Sequence, residues 1–140
     1  MAAFIQQDFI PVEAHIKEHP AWFSRFDALW TPTVLLLDSG GKERVRLEGY
    51  LNRTDFTAWL AARPGRLAFT RKQSAEAERR YDHALQTAPA PRSAPEAMYW
   101  HAVSHYRASN DHTALGRVAE GLPQRYPGSV WAEKALPWKH

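Results

Sequence analysis

The stretch Val34–Glu48 limits what this chain can fold into more than any other. It joins a continuous apolar run, Val34-Leu35-Leu36-Leu37, to Asp38-Ser39-Gly40-Gly41 and then to Glu43-Arg44-Val45-Arg46-Leu47-Glu48. A short unbroken apolar run is expected of a strand covered on both faces. Asp, Ser and two Gly tolerate the backbone angles of a tight reversal, so the turn predicts a hairpin. The alternation that follows predicts a return strand with Val45 and Leu47 on a buried face and charged residues on a wet one.

The flanking segments carry further periodic signals. Phe9–Ile16, "FIPVEAHI", is short and rich in β-branched and aromatic residues, which predicts a strand. Pro11 places that strand at an edge or at its own start, because proline cannot donate to a ladder. Ala21–Leu29 sets Trp22, Phe23, Phe26 and Leu29 at i, i+1, i+4 and i+7, a helical stripe. Thr54–Ala62 puts Phe56, Trp59 and Leu60 on one helical face, with Asn52 or Thr54 as the cap. Beyond Arg63 the β-branched runs vanish, and Ala, Arg, Tyr and Glu recur at helical spacing. Arg63-Pro64-Gly65 therefore predicts a boundary between an α/β domain, residues 1–63, and a helical region, residues 64–140. "APAPRSAP", Ala88 to Pro95, is a second break.

Composition narrows the function classes. Hydrophobic residues are 44% and charged residues 24% of 140, a globular profile long enough to bury a core. No apolar run approaches the roughly 20 residues of a membrane span. Met1–Gln7 lacks the basic start and apolar stretch of a signal peptide, so a cytoplasmic chain with no membrane partner is expected, with the cell envelope as the alternative if the true N-terminus lies upstream. The net charge is +3 with acids interleaved among the bases, which predicts a solvated surface and no nucleic-acid partner. The sequence holds no cysteine, which excludes disulfides, thiolate nucleophiles and Cys-type zinc sites within it. His101 and His105 have the i, i+4 spacing of two metal ligands, but "HAVSH" lacks a zinc protease's glutamate and fixes no third ligand. No metal or other cofactor is expected. Glu13 and His15 alternate as the solvent side of an edge strand rather than as a proton-handling pair. Arg71-Lys72 and Arg79-Arg80 interleave with Glu76, Glu78 and Asp82, as on a solvated helix face. There is no Gly-rich phosphate loop and no serine nucleophile elbow.

"FIPVEAHI", "AWFSRFDAL", Thr31-Pro32, "DSGG", "RVRLEGY" and "RTDFTAWLAA" follow one another in an order that resembles the C-terminal part of the thioredoxin family, over about residues 4–62. The resemblance implies a partial thioredoxin-like α/β fold with a cis Thr31–Pro32 bond, although X-Pro bonds are cis in only about 5% of folded cases. It also implies that the loop holding Pro32 faces active-site thiols and that the backbone of Thr31 pairs with extended substrate peptide. In that family a Cys-x-x-Cys opens a helix after a central strand, where helix dipole and free N–H groups stabilise a thiolate. Neither that strand nor that motif occurs in this sequence, and Phe4–Gln7 supplies at most the last turn of that helix. The absent strand would lie between Phe9–Ile16 and Val34–Leu37, leaving unpaired backbone groups on both. The expectation is that residues upstream of Met1 supply it, with a second copy in a homodimer, another partner chain or a rearranged half-domain as alternatives.

The later half repeats. Ala77, Tyr81, Ala84 and Pro89 follow Ala-x3-Tyr-x2-Ala-x4-Pro, which resembles the second helix of a tetratricopeptide repeat, with Arg66–Lys72 as the shorter first helix. A second copy has Glu96–Ala108 as first helix, carrying Tyr99, Ala102, Val103 and Tyr106 on one face; Asn110-Asp111 forms its turn, and Thr113–Tyr126 the next helix, ending at Pro127. Gly121 takes the small-residue position, Pro123 interrupts the second helix, and Val130–Leu136 caps the array. "EAMYWHA" and "RYPGSVWAEKAL" are similar to repeats of bacterial cell-envelope assembly proteins. The resemblance implies peptide binding on a concave side near Tyr81, Tyr99 and Tyr106. Two copies fall short of the ~3 that stand alone, so docking on the thioredoxin-like part is expected. The functional expectation is a non-catalytic module whose partner is a protein or extended peptide bound at Thr31, Pro32 and these tyrosines. Its alternative is the C-terminal part of a thiol-disulfide oxidoreductase whose cysteines are encoded upstream.

Overall fold

The computed structural model describes residues 1–139, which form one unit over Met1–Asn52 and a second starting at Arg53. In the first, β1 (Thr33–Leu37) pairs antiparallel with β2 (Glu43–Glu48), Val34 facing Leu47 and Leu36 facing Val45, with an irregularity between Leu36 and Leu37. The turn forms for the reasons its residues suggest. Asp38 Oδ1 accepts from the N–H groups of Gly40 (2.9 Å) and Lys42 (3.0 Å), and Gly41 takes φ +77°. Arg44 closes on the same carboxylate at 2.8 Å. Two short helices precede the hairpin, α1 (Ala2–Asp8) and α2 (Pro20–Arg25). Arg46 binds this unit together. Its guanidinium forks onto Glu43, with both contacts at 2.7 Å, and donates to the carbonyls of Phe26 and Asp27 in the loop after α2. A bidentate guanidinium–carboxylate pair is geometrically fixed, so the arginine holds the loop against β2. The Thr31–Pro32 peptide is cis.

Several expectations for this unit are corrected. Phe9–Ile16 is not a strand: it runs irregularly into a turn at residues 16–18, and the sheet among the described residues has two strands. No neighbouring strand takes up its backbone groups, Pro11 withholds a donor, and Ile10 (93% exposed) and Val12 (68%) find nothing to pack against. With it goes the edge-strand placement of Glu13 and His15. Both are exposed in irregular chain, and His15 Nδ1 instead accepts from the Lys17 N–H in the turn. The helix expected over Ala21–Leu29 stops at Arg25, because Asp27 turns to φ +48°, and Leu29 is almost fully exposed. The apolar run of β1 is not covered on both faces either; Leu36 is buried, but Leu37 is exposed.

The second unit is helical: α3 (Arg53–Ala61), α4 (Arg63–Thr70), α5 (Ser74–Thr87), α6 (Ala94–Ser109), α7 (Thr113–Arg125) and α8 (Val130–Ala135), then a 3-10 turn, Leu136–Trp138. Each helix packs on the next from α3 to α5 and from α5 through α8, and α8 also returns to α6. Arg63-Pro64-Gly65, expected as the boundary, begins α4, since proline fits a helix's first turn, where its missing N–H costs nothing. Pro123, expected to interrupt, lies within α7, which continues to Arg125 although proline offers no N–H to the Ala119 carbonyl one turn back. Asn110 ends α6 in the left-handed conformation (φ 60°), and Asp111 Oδ1 accepts from the Thr113 N–H and hydroxyl to start α7.

Alanine dominates the core: Ala62, Ala68, Ala77, Ala84 and Ala97 surround Tyr81, and Ala102, Ala119, Ala132 and Ala135 surround Val118 and Leu122. Small side chains let helices approach closely. Tyr81 is fully buried, and its ring lies where a Cβ on Gly65 would come within 2.8 Å. Arg63 is buried beside it, its Nε donating to the Trp59 carbonyl (2.9 Å), its guanidinium 4.9 Å from the Trp59 ring and 3.0 Å from Glu96. Removing one partner of such a pair strands a buried charge. Gly65→Ala is expected to destabilise the protein by about 1–3 kcal/mol through overpacking against Tyr81. Tyr81→Phe is expected to be neutral or stabilising, because the Tyr81 hydroxyl is buried without a partner. Urea denaturation of the two variants against the parent reads both.

Candidate functional site

Thr31 and Pro32 lie in the first unit, at the entrance to β1, and both are exposed. The Pro32 carbonyl accepts from the Gly49 N–H (2.8 Å), and the Thr33 hydroxyl donates to the Trp30 carbonyl (2.6 Å). In an antiparallel pair, hydrogen-bonded positions alternate. With Pro32 bonded to Gly49, the bonded pairs recur at Val34/Leu47 and Leu36/Val45. The N–H and C=O groups of Thr33 and Leu35 therefore point away from β2, toward an open sheet edge. Leu29 and Trp30, 90% and 69% exposed, lie just ahead of Thr31-Pro32 and this strand.

The three tyrosines lie in the second unit and differ. Tyr81 is corrected as a binding residue: it is a core side chain with no surface to offer, and burial pushes its phenol up. Its place in the small-residue pattern, between Ala77 and Ala84, is what buries it. Tyr99 is half-buried, stacked on Trp138 at 4.8 Å and 5.1 Å from Trp131, and burial raises its phenol. Tyr106 is half-buried near the end of α6.

A cleft of about 490 Å³ opens among α5, α6 and α7, floored by Leu85, Met98, Ala102 and Val118, with His101 and His105 both on its wall. The i, i+4 spacing does bring the two histidines to one place. His105 Nδ1 donates to Glu78 Oε1 at 2.8 Å, and its Nε2 stands 3.5 Å from Asp111 Oδ2. Both ring nitrogens thus face carboxylates, and the imidazole bridges α5 to the α6–α7 turn. Among the described residues no group of three or more His, Asp or Glu is set to hold a metal ion. Arg79 and Arg80 both close on Glu76, as expected of a solvated face.

Cations also sit over aromatic rings in this unit: Arg66 over Trp100, Arg107 over Phe69 and Lys134 over Trp131. Only Trp131 and Lys134, at i, i+3 on one helix, leave a trace in the sequence. The others join α4 to α6, which needs the tertiary fold.

Glu78 first, then Asp111, holds the His105 imidazolium, which raises its pKa above the usual value of about 6.5. The folded value lies above the unfolded one, so the stabilisation is complete below about pH 6.5 and is lost as pH rises through the folded value. An NMR titration is expected to place the His105 midpoint above about 6.5, and Glu78→Gln is expected to lower it.

Residues 2–64 match the family model of a thioredoxin-like domain, a segment that contains the hairpin unit and α3. No curated protein and no solved structure matches the chain significantly.

Proposed function

We propose that the chain is a non-catalytic protein-interaction module in which the open edge of β1 pairs with an extended segment of a partner protein. The observation that carries this is the two-stranded sheet, with Thr33 and Leu35 turning their backbone groups away from β2 beside exposed Leu29 and Trp30. An unpaired edge is a template for strand addition, main-chain bonds giving affinity and alternate side chains giving selectivity. The thioredoxin-like match supports it, since by that resemblance the backbone of Thr31 takes up extended peptide. The lack of cysteine leaves no thiol in this sequence to exchange. We read the helical unit as tetratricopeptide-like. The successive packing of α4, α5, α6 and α7 with α8 at the end supports this, as does the close Gly65–Tyr81 approach. The module would then present a second surface there.

A second reading makes the chain the C-terminal part of a thiol-disulfide oxidoreductase with its Cys-x-x-Cys encoded upstream. The family match favours it. Genomic DNA carrying an in-frame strand-like segment and Cys-x-x-Cys ahead of Met1 supports that reading, and an in-frame stop codon removes it.

An acetylated (Thr-Val)4 peptide is expected to slow amide exchange at Thr33 and Leu35 more than at Val34 and Leu36, which already bond β2. Leu35→Pro removes an outward donor that an edge strand can spare and is expected to abolish the effect while leaving the circular dichroism spectrum unchanged. No slowing at Thr33 and Leu35 at millimolar peptide overturns the edge assignment. In an insulin-reduction assay the chain is expected to give the dithiothreitol background; turnover above it overturns the non-catalytic reading.

A further inference from the structure

Three rings from three helices stand in a row: Phe69 of α4, Trp100 of α6 and Trp131 of α8, with centroids 5.1 and 6.2 Å apart in turn. Each ring carries one cation. Arg107 lies 5.9 Å from the Phe69 centroid, Arg66 4.9 Å from that of Trp100, and Lys134 4.3 Å from that of Trp131. Tyr99 backs the row, in edge contact with Trp100 and tilted against Trp131. The nearby acids are engaged elsewhere: Glu96 with Arg63, Glu78 with His105, Asp111 with His105 and Arg117, Glu76 with Arg79 and Arg80. Among the described residues, Arg66, Arg107 and Lys134 lie over ring faces and form no ion pair with a carboxylate. A guanidinium stacked on a ring keeps the N–H donors along its edge, the geometry that receives a carboxylate. Cation–π attraction also limits the side-chain freedom that binding would otherwise have to remove.

We propose that this ladder binds an acidic, extended segment of a partner protein, its carboxylates meeting Arg107, Arg66 and Lys134 in succession. The ring centroids, 5.1 and 6.2 Å apart, are spaced on the scale of the roughly 6.6 Å between alternate side chains of an extended chain, which is why the segment is taken to be extended with alternate acids. A single-stranded nucleic acid fits less well. Its affinity rests on bases stacking on free ring faces, whereas these rings contact one another and carry cations on their faces. The proposal goes beyond the β1 edge, since it concerns the second unit and a different partner chemistry.

The test is calorimetric titration of the full chain with acetyl-GSDSDSDSG-amide, its Asn counterpart acetyl-GSNSNSNSG-amide, and oligo-dT of ten nucleotides. The acidic peptide alone is expected to bind, weakening as salt rises. Arg66→Gln/Arg107→Gln/Lys134→Gln is expected to weaken it about tenfold or more. Lys134→Glu changes an exposed side chain, keeps the variant folded, and is expected to weaken binding alone. Leu35→Pro is expected to leave this affinity unchanged, which separates the proposal from strand addition at β1. Equal affinity for the Asn peptide, tighter binding of oligo-dT, or unchanged affinity in both ladder variants overturns it.

Discussion

A sheet of two strands can shelter only what its own hairpin covers, and the first unit is arranged around that constraint. Isolated hairpins are marginal, and three strands or a packed helix are the usual remedy. Here the remedy is polar. Arg46 forks onto Glu43 and reaches the carbonyls of Phe26 and Asp27, so a single side chain of β2 fixes the loop that leads back toward β1. What it cannot do is bury apolar surface. Ile10, Val12, Leu29, Trp30 and Tyr50 all stay exposed, and the outer edge of β1 keeps backbone groups pointing outward.

The second unit solves the opposite problem. Its helices carry alanine on the faces they share, so they approach closely, and the large rings that cannot fit between them collect elsewhere. Tyr81 is the exception. It fits because Gly65 offers no Cβ, and it leaves a hydroxyl unpaired inside. Trp59, Trp100 and Trp131 instead lie partly open and take cations onto their faces, Arg63 being the one that is itself buried.

Local signals in the sequence agree with the structure where the element forms from local chemistry. Asp38, Gly40 and Gly41 make their turn through contacts within a few residues, and the alternation of Glu43–Glu48 matches β2. Helices α5 to α8 follow apolar spacing, and Asn110-Asp111 supplies the turn it suggested. Signals that depend on a neighbour failed. Phe9–Ile16 has strand composition but, among the described residues, no strand beside it, and the run Val34–Leu37 buries Leu36 while leaving Leu37 exposed. Tyr81 stands in a pattern that can mark a binding surface or a core, and only the approach of Gly65 decides between them. The ring-and-cation row was invisible for the same reason. Arg66 and Trp100 are far apart in sequence, and nothing local marks their pairing.

The alanine faces also set how this protein can drift over evolutionary time. At a buried alanine such as Ala77 or Ala119, every larger residue overpacks and glycine weakens the helix, so neither direction is free. Such positions should change in matched pairs across a helix contact or not at all, whereas exposed loops can vary singly. Among homologues, the slowest-changing letters of this chain should therefore be its smallest.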